Sequence, residues 1–373
     1  MVASIHDGGA SLADVLPSCL AALGIEGFTD RFTLGIHERI VLFVVDGLGW
    51  RNLEMSRGYA RFLGQREPVD TLRTVFPSTT ASALASLVTG TQPNQHGILG
   101  YRVWSESRGE LVNQLNGIDD REVHGAWLTM PSLVCDASSA SRAVTVLAHE
   151  RYRTSALTKM LYTDARYIGT SSIGDAFDKL GHHLAKNPAG LTIVYLAQLD
   201  ETAHRCGVNS YEWCGLLEEL DAHLRDFSRA CPGDTLALLT ADHGVVDVPA
   251  SAHREFGLGP EMKNVRAIGG EPRCLQIYAN DHADVSTLMS EWSTLAGDSS
   301  LVRTVADLEA SEWLAASNPR VSDRLPDFYV FAPESEAWYD GREPTSTARN
   351  MIGQHGGISA QETSIPLLRV SAR

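Results

Sequence analysis

Apolar residues in this chain are concentrated in short runs of strand length. Unbroken or nearly unbroken apolar runs at residues 40–45, 192–198 and 235–240 predict strands that are buried on both faces. A further stretch at residues 142–147 has the same character. These runs predict the central strands of a sheet that is covered on both sides.

Stretches with helical spacing separate the predicted strands. Apolar residues recur at three- and four-residue intervals over 213–227, which predicts a helix packed on the sheet. Another helix is predicted to begin at 172, and a shorter one at 11–23 with an interruption or kink at Pro17. Strands that alternate with helices predict an α/β fold with a mostly parallel central sheet and helices on both faces.

The pattern changes between residues 245 and 343, where the predicted elements become shorter. Residues 274–279 and 327–332 predict strands, and residues 285–295 predict a helix. We interpret this region as a smaller α+β segment, like a cap, inserted into a single α/β domain that covers residues 1–373.

Composition and charge restrict the class of partner. The chain has 373 residues, of which 43% are hydrophobic and 21% charged, as in ordinary globular proteins. A formal net charge of −15 argues against a nucleic-acid polymer or an anionic membrane surface as partner. A small anionic substrate stays open, because bound divalent metals reverse the local field.

The cysteines and the first residues indicate a compartment. Six cysteines are scattered without a CxxC pair, which is typical of reduced thiols in a cytoplasm. Residues 1–10 lack the basic region and apolar core of a signal peptide, and no apolar run approaches transmembrane length. We therefore expect a cytoplasmic protein.

The stretch at residues 75–100 carries the first candidate for chemistry. Proline at position 77 disfavours helix before it, and Ser78, Thr79 and Thr80 then offer N-cap hydroxyls to a helix over 81–88. A hydroxyl at a helix N-terminus faces free N–H groups and suits an anionic substrate. Taken alone, the stretch is also compatible with a plain capped helix.

Acidic residues follow three of the predicted buried strands, and histidines lie near them. The carboxyl ends of parallel strands meet at one edge of a sheet, where ligands bind in open α/β folds. A single aspartate there is usually a turn or a cap, but three such coincidences favour a metal site. Carboxylates and imidazoles together suit zinc, with manganese or iron as alternatives. The residues concerned are Asp46, Asp200, His204, Asp242, His243 and His355.

These motifs, taken in order, resemble the alkaline phosphatase superfamily and, within it, the type I phosphodiesterase/nucleotide pyrophosphatase family. Each motif is weak alone, but the ordered set is specific and spans residues 40–357. The matching motifs are Val-Val-Asp46-Gly, Phe-Pro-Ser-Thr-Thr80, Val-Thr-Gly90-x-x-Pro93-x-x-His96-Gly97-Ile98, Asp200-x-x-x-His204-x-x-Gly207, Asp242-His243-Gly244 and Gly353-x-His355-Gly356.

The resemblance implies two divalent metal ions, most simply Zn²⁺, with Mn²⁺ or iron as alternatives. It implies that Thr80 is the nucleophile and also reaches the first metal. Thr79 occupies a position where this family often has a lysine. The implied ligands are Asp46, Asp242 and His243 for the first metal, and Asp200, His204 and His355 for the second.

One departure from the family concerns substrate binding. Many nucleotide pyrophosphatases place an asparagine shortly after the His-Gly-Ile motif, and the corresponding position here is Tyr101, followed by Arg102. Either residue could bind phosphate oxygens, and a plain surface loop is an equal alternative. Residues 101–131 are interpreted as a lid or rim.

The resemblance implies a metal-dependent hydrolase for a small phosphate ester, with a phosphodiesterase or nucleotide pyrophosphatase as the first hypothesis. A phosphomonoesterase or a phosphonate (C–P) hydrolase on the same scaffold is the alternative, and a metal-binding protein without catalysis is the third. No Cys/Ser-x-Pro-x-Arg motif supports a sulfatase. The substrate and the oligomeric state stay open.

Overall fold

The computed structural model describes residues 9–119, 127–140, 142–298 and 301–371. Most residues before position 10 lie outside these ranges, so the prediction about residues 1–10 concerns a region that is largely not described. In chain order, the strands are β1 (Arg39–Val45), β2 (Pro68–Arg73), β3 (Arg102–Ser105), β4 (Glu110–Asn113), β5 (Val144–His149), β6 (Arg166–Thr170), β7 (Gly190–Leu196), β8 (Thr235–Thr240), β9 (Val246–Asp247), β10 (His253–Phe256), β11 (Val265–Glu271), β12 (Cys274–Ala279), β13 (Val302–Thr304), β14 (Phe328–Phe331), β15 (Ala337–Asp340), β16 (Gly353–Gln354) and β17 (Ser364–Arg369).

The α-helices lie between these strands. None of the helices within the described ranges is both long and apolar enough to cross a membrane. In chain order, they are α1 (Val15–Ala22), α2 (Trp50–Met55), α3 (Thr80–Thr89), α4 (Pro93–His96), α5 (Val134–Ser139), α6 (Ala156–Leu161), α7 (Ile173–Lys186), α8 (Gln198–Cys206), α9 (Tyr211–Ala230), α10 (Val285–Ala296), α11 (Val305–Ala310) and α12 (Ala360–Thr363).

The central sheet has seven strands in the order β2-β17-β8-β1-β7-β5-β6. β17 runs antiparallel to its two neighbours, and the other pairings are parallel. All seven residues of β1, at the centre, are buried, because helices cover both faces of the sheet. The predicted α/β fold with a mostly parallel sheet is therefore confirmed.

The predicted strands and helices correspond closely to those observed, with a few differences. The predicted interruption at Pro17 is wrong: a 3₁₀ turn over Leu12–Asp14 passes directly into α1, which runs through Pro17. Proline is tolerated there because N–H groups in the first turn of a helix have no intrahelical partner. The strand predicted at 192–198 ends at Leu196, and its last predicted residue instead begins α8.

A second sheet lies between residues 245 and 343. It has four antiparallel strands in the order β11-β12-β14-β13. Its core includes the fully buried Trp292 of α10 together with Phe328 and Val330 of β14. The described part of this region thus contains strands and helices of its own, and its interpretation as an inserted cap stays a proposal.

A buried ion pair joins the second sheet to the central domain. Arg273, in the turn between β11 and β12, is 1% exposed, and Glu362 of α12 is fully buried. The guanidinium donates to both carboxylate oxygens, at 3.1 and 2.8 Å. Glu362 Oε1 also accepts from the backbone N–H of Gly357 at 2.8 Å. The pair therefore fixes the turn of the second sheet against the loop that follows β16.

We predict that Arg273→Ala lowers the free energy of unfolding by about 3–5 kcal/mol, because it leaves the Glu362 carboxylate buried without its cation. Urea denaturation in the presence of a chelator would measure this loss. The matched control is Arg342→Ala, which removes an arginine that is 53% exposed and paired with Asp340. That change should cost less than about 1 kcal/mol. Equal losses in the two variants would contradict the structural role given to Arg273.

Candidate metal centre

Two aspartates and a histidine lie at the carboxyl ends of adjacent strands. β1 and β8 are parallel, with Val44 opposite Thr240, so the residues that follow them meet at one edge of the sheet. Asp46 follows β1 directly, and Asp242 and His243 come shortly after β8. His243 Nε2 lies 3.4 Å from Asp46 Oδ1 and 3.5 Å from Asp242 Oδ2.

A glycine permits this close approach. Gly47 has a φ of +72°, and its N–H donates to Asp242 Oδ1 at 3.1 Å. A Cβ atom at this position would lie 3.0 Å from Asp200 Oδ1. Position 47 therefore needs glycine both for its backbone conformation and for the space beside Asp200.

Asp200 and His204 are one turn apart on α8, so their side chains lie on the same face of the helix. His204 Nε2 lies 3.0 Å from Asp200 Oδ2. His204 Nδ1 lies 2.7 Å from the backbone carbonyl of Gly353. This contact joins α8 to β16, which directly precedes His355.

His355 completes the cluster from the loop after β16. Its ring stacks on His243 with centroids 3.8 Å apart and lies 5.1 Å from the ring of His204. Gly356 follows with a φ of +110°, a conformation that favours glycine. The three histidines thus reach one place from three separate segments of the chain.

Thr80 is the first residue of α3 and faces this cluster. Its Oγ1 lies 3.1 Å from His243 Nε2, and the residue is 8% exposed. The N-cap residue is Thr79, whose side chain makes no capping hydrogen bond. The Ser78 hydroxyl donates to the carbonyl of Gly357 at 2.7 Å. Contrary to the prediction from the hydroxyl run, none of these three side chains caps the helix.

The ligand atoms form two tight groups. Asp46, Asp242 and His243 form one group, with the ligand atoms within 4.8 Å of one another. Asp200 and His355 form the other group, in which His243 is the third member. Within the described residues His204 is outside this tight group, although it contacts Asp200 directly. The assignment of His204 as a ligand stays a prediction.

One carboxylate oxygen on each of the three candidate aspartates is buried and has no hydrogen-bond partner among the described residues. They are Asp46 Oδ1, Asp200 Oδ1 and Asp242 Oδ2. A buried carboxylate oxygen without a donor costs free energy unless a cation or a donor satisfies it. One such oxygen on each aspartate, beside imidazole nitrogens, is the donor set that a divalent transition metal accepts. The residues present therefore fit the metals that the motifs imply.

The electrostatics also favour a cation. Burial, reinforced by the carboxylates of Asp242 and Asp200, raises the pKa of Asp46 well above its usual range. Burial raises the pKa of Asp242 to about 6. Burial also acts to raise the pKa of Asp200, but the neighbouring His204 outweighs it and lowers that pKa. A bound divalent cation would stabilise the ionised form of all three carboxylates.

The three histidines share one hydrogen-bonding arrangement. Their Nδ1 atoms lie close to backbone carbonyls: Gly353 for His204, Gly244 for His243 at 3.2 Å, and Ser78 for His355 at 3.1 Å. A carbonyl oxygen only accepts, so each Nδ1 carries the proton in the neutral ring. In that neutral form the lone pair is on Nε2, the form in which imidazole binds a metal. His204 Nε2 lies beside Asp200 Oδ2, so there a bound cation would replace the proton that the carboxylate otherwise favours.

The two residues predicted to bind substrate, Tyr101 and Arg102, do not contact the candidate metal ligands within the described residues. Tyr101 and Arg102 precede or begin β3, and both side chains are exposed. Within the described residues, no hydrogen bond, ion pair or ring contact joins either side chain to Thr80 or to the candidate ligands. Residues 120–126 of the predicted lid or rim lie outside the described ranges. The roles of Tyr101, Arg102 and this segment stay predictions.

Two residues at the centre were not predicted from the sequence. The Tyr195 hydroxyl, on β7, donates to Asp46 Oδ2. Glu271, at the end of β11, places Oε2 3.3 Å from His355 Nδ1. Tyr195 lies in an apolar run that indicates only a buried strand, and Glu271 belongs to no motif. Neither contact could be found without knowing how the segments pack.

Comparison with known sequences identifies one family. The sequence model of the family described as type I phosphodiesterase/nucleotide pyrophosphatase matches residues 40–358. A comparison with curated proteins finds no match.

Solved structures of similar fold include murine ectonucleotide pyrophosphatase/phosphodiesterase 5, with a TM-score of 0.67 and 17% identity over 89% of this chain and 88% of that chain. The human protein of the same name has a TM-score of 0.69 and 15% identity over 90% of each chain. Phosphonoacetate hydrolase from Sinorhizobium meliloti 1021, in complex with phosphonoformate, has a TM-score of 0.66 and 18% identity over 90% of each chain. An inactive threonine-to-alanine variant of the murine protein has been solved in complex with AMP. At these identities the similarity demonstrates the fold.

Proposed function

Because the chain belongs to the type I phosphodiesterase/nucleotide pyrophosphatase family and is a hydrolase of phosphoric ester bonds, we propose that it cleaves small phosphodiesters through Thr80 and two divalent metal ions. The observation that carries this proposal is the set of partnerless buried oxygens on Asp46, Asp200 and Asp242 beside the Thr80 hydroxyl. Such a site binds metal and presents a nucleophile at the same place.

Two groups of residues would hold the metals. Asp46, Asp242 and His243 would hold the first, with Thr80 also reaching it. Asp200, His204 and His355 would hold the second. The mixture of carboxylates and imidazoles favours Zn²⁺, with Mn²⁺ or iron as alternatives. Tyr195 would orient Asp46 by its hydrogen bond to the second carboxylate oxygen.

Thr80 would act as the nucleophile. A threonine hydroxyl is a weak nucleophile at neutral pH and has to lose its proton to attack. When bound, the metals would supply the positive charge that favours the Thr80 alkoxide and the departing oxygen. Thr80 Oγ1 would attack phosphorus and the bond to the leaving oxygen would break, so that the phosphoryl group would be held on Thr80 together with its remaining ester substituent. The proton that Thr80 loses balances the one that the leaving oxygen takes up. Water would then attack phosphorus and release the threonine hydroxyl.

The first turn of α3 would orient the phosphate. The first N–H groups of a helix have no intrahelical partner and lie at the positive end of its dipole. Thr80 begins this helix, so its hydroxyl and those N–H groups face the same space. The non-bridging phosphate oxygens would accept from these groups while Oγ1 attacks.

The charges near Thr80 favour a diester over a monoester. A monoester dianion carries one more charged oxygen, which a suited enzyme would stabilise with an additional cation. Ser78, Thr79, Ala81 and Ser82 are uncharged, and burial raises the pKa of Glu271, a nearby carboxyl group that supplies no positive charge. Phosphonate hydrolysis is the second candidate, because the fold matches a phosphonoacetate hydrolase equally well.

We predict about two equivalents of divalent metal per chain, most simply zinc, in protein purified without chelator. Elemental analysis would measure this content, and chelation should lower the melting temperature, since binding at 100 times Kd adds about 2.7 kcal/mol of stability. Asp242→Asn should reduce the metal content. Asp221→Asn is the matched control, because this buried aspartate binds the backbone N–H groups of Phe62 and Leu63 instead. A metal-free protein with full activity would exclude the proposal.

We predict that Thr80→Ala lowers kcat/KM by at least about 10³-fold, as expected for removal of a nucleophile, while the metal content and fold are retained. The inactive threonine-to-alanine variant of the murine neighbour supports this expectation. Thr89→Ala is the matched control, since Thr89 is buried at the other end of α3 and its hydroxyl donates to the Ala85 carbonyl. A Thr80→Ala protein that keeps activity while Thr79→Ala loses it would transfer the nucleophile to Thr79.

We predict faster hydrolysis of bis-(nitrophenyl) phosphate than of nitrophenyl phosphate, compared as kcat/KM at equal metal loading. A tenfold preference for the monoester, about 1.4 kcal/mol in the transition state, would contradict the diesterase proposal. Arg102→Ala should then reduce the monoesterase activity selectively. Phosphonoacetate in the same assay tests the second candidate, because its cleavage in preference to both esters would favour C–P hydrolysis.

A further inference from the structure

The second sheet contributes one acidic side chain to the metal centre. Glu271 is the last residue of β11, and its Oε2 lies 3.3 Å from His355 Nδ1. It also borders the loop after His355, where a Cβ atom on Gly356 would lie 3.0 Å from Glu271 Oε2. The residue comes from the 245–343 segment, whereas the candidate ligands all come from elsewhere in the chain.

The other carboxylate oxygen of Glu271 is buried, and no described residue forms a hydrogen bond with it. Its Oε1 shares this property with one oxygen on each of the three candidate aspartate ligands. The Glu271 side chain is 11% exposed, so water reaches it poorly. Burying a carboxylate in such surroundings costs free energy of folding, which indicates that Glu271 has a role that an uncharged residue would not fill.

The position of Glu271 is fixed by its neighbours in the chain. Two residues later, Arg273 is held by the buried Glu362. Glu362 in turn accepts from the N–H of Gly357, two residues after His355. One ion pair therefore anchors both the turn that carries Glu271 and the loop that carries His355. The ion pair therefore holds the backbone of both segments close together, and the Glu271 side chain spans the distance that remains to His355.

The contact acts on Nδ1 of His355, which leaves Nε2 as the nitrogen available to a metal. Nδ1 lies between the Ser78 carbonyl at 3.1 Å and Glu271 Oε2 at 3.3 Å. A carbonyl oxygen and an ionised carboxylate can only accept, so both favour a proton on Nδ1 and, in the neutral ring, the lone pair on Nε2. A carboxylate in this position orients the ring and makes the ligand nitrogen more basic, which strengthens metal binding.

We propose that Glu271 is a positioning residue for the second metal: it holds His355 with Nδ1 protonated and Nε2 directed to the ion. The proposal rests on the two-metal function above and adds that the 245–343 segment takes part in assembling the centre. Glu271 acts through His355, whose Nδ1 its Oε2 contacts, and within the described residues it belongs to neither tight ligand group. Loss of the segment's contact should therefore weaken one metal site and spare the other.

Titration of Zn²⁺ against a chromophoric chelator, on the full chain, would test this proposal. Glu271→Ala should lower the affinity of one of the two ions by about 10–100-fold, the range found for changes to groups that support metal ligands. Glu271→Gln should lower it less, since an amide oxygen can still accept from Nδ1. In both variants, excess Zn²⁺ should restore most of kcat/KM. A defect in folding alone would not be reversed in this way.

Glu261→Gln is the matched control. Glu261 is a buried glutamate of the same 245–343 segment, and its Oε1 accepts from the N–H groups of Gly257 and Gly259. Its replacement should lower the melting temperature of the metal-free protein and leave both Zn²⁺ affinities unchanged. If Glu261→Gln also lowers the affinity for one Zn²⁺ ion, the effect would come from general loosening of the 245–343 segment, and the proposal would be overturned.

The outcomes separate this proposal from the proposed function. If wild-type protein binds two ions and both Glu271 variants, still folded by circular dichroism, bind them equally tightly, the role of Glu271 is excluded and the hydrolase function stands. If Glu271→Ala does not fold, the Zn²⁺ affinity of Glu271→Gln alone is compared with that of the wild type, and an unchanged affinity excludes the role of Glu271. If wild-type protein binds no divalent ion, the two-metal function fails before the variants are compared.

Discussion

Mutual repulsion between buried carboxylates is the constraint on which this structure depends. Asp46, Asp200 and Asp242 meet at one edge of the central sheet, each with an oxygen that no donor satisfies. Water cannot compensate them, because the sheet and its helices exclude it. Protonation relieves this repulsion in part, as the raised pKa values of Asp46 and Asp242 indicate, and a divalent cation would relieve it in the ionised state. The imidazoles of His243 and His355 lie close enough to the carboxylates to take part in binding such a cation. The hydrolysis of phosphoric esters is the chemistry that such a centre supports.

The surrounding elements each control one aspect of the centre. Parallel pairing of β1 and β8 brings the first group together, and one turn of α8 separates Asp200 from His204. The N-terminus of α3 presents Thr80, and backbone carbonyls set the protonated nitrogen of each histidine. The second sheet reaches the centre through Glu271 and the Arg273–Glu362 pair. Because these contacts come from distant parts of the chain, the centre forms only when the whole domain is folded.

The central strands and the motif residues could be predicted because their signals are local. β1 and β8 read as continuous apolar runs, and each candidate ligand is within a few residues of a strand end or a glycine turn. β2 and β17 gave no such signal. β2 is largely exposed, and β17 contains Pro366, which argues against a paired strand. Tyr195 and Glu271 depend on packing between segments, so no local pattern could identify them.

The topology of the sheet has a consequence for synthesis of the protein. Within the described sheet β2 has one strand neighbour, β17, which also pairs with β8 and is the last strand in sequence. A ribosome must therefore translate nearly 300 residues after β2, as the numbers of Arg73 and Arg369 indicate, before that strand can pair. His355 also emerges late. The nascent chain consequently lacks both β17, the neighbour of β8, and His355 until translation is almost finished, so the candidate centre is assembled only at the end of synthesis.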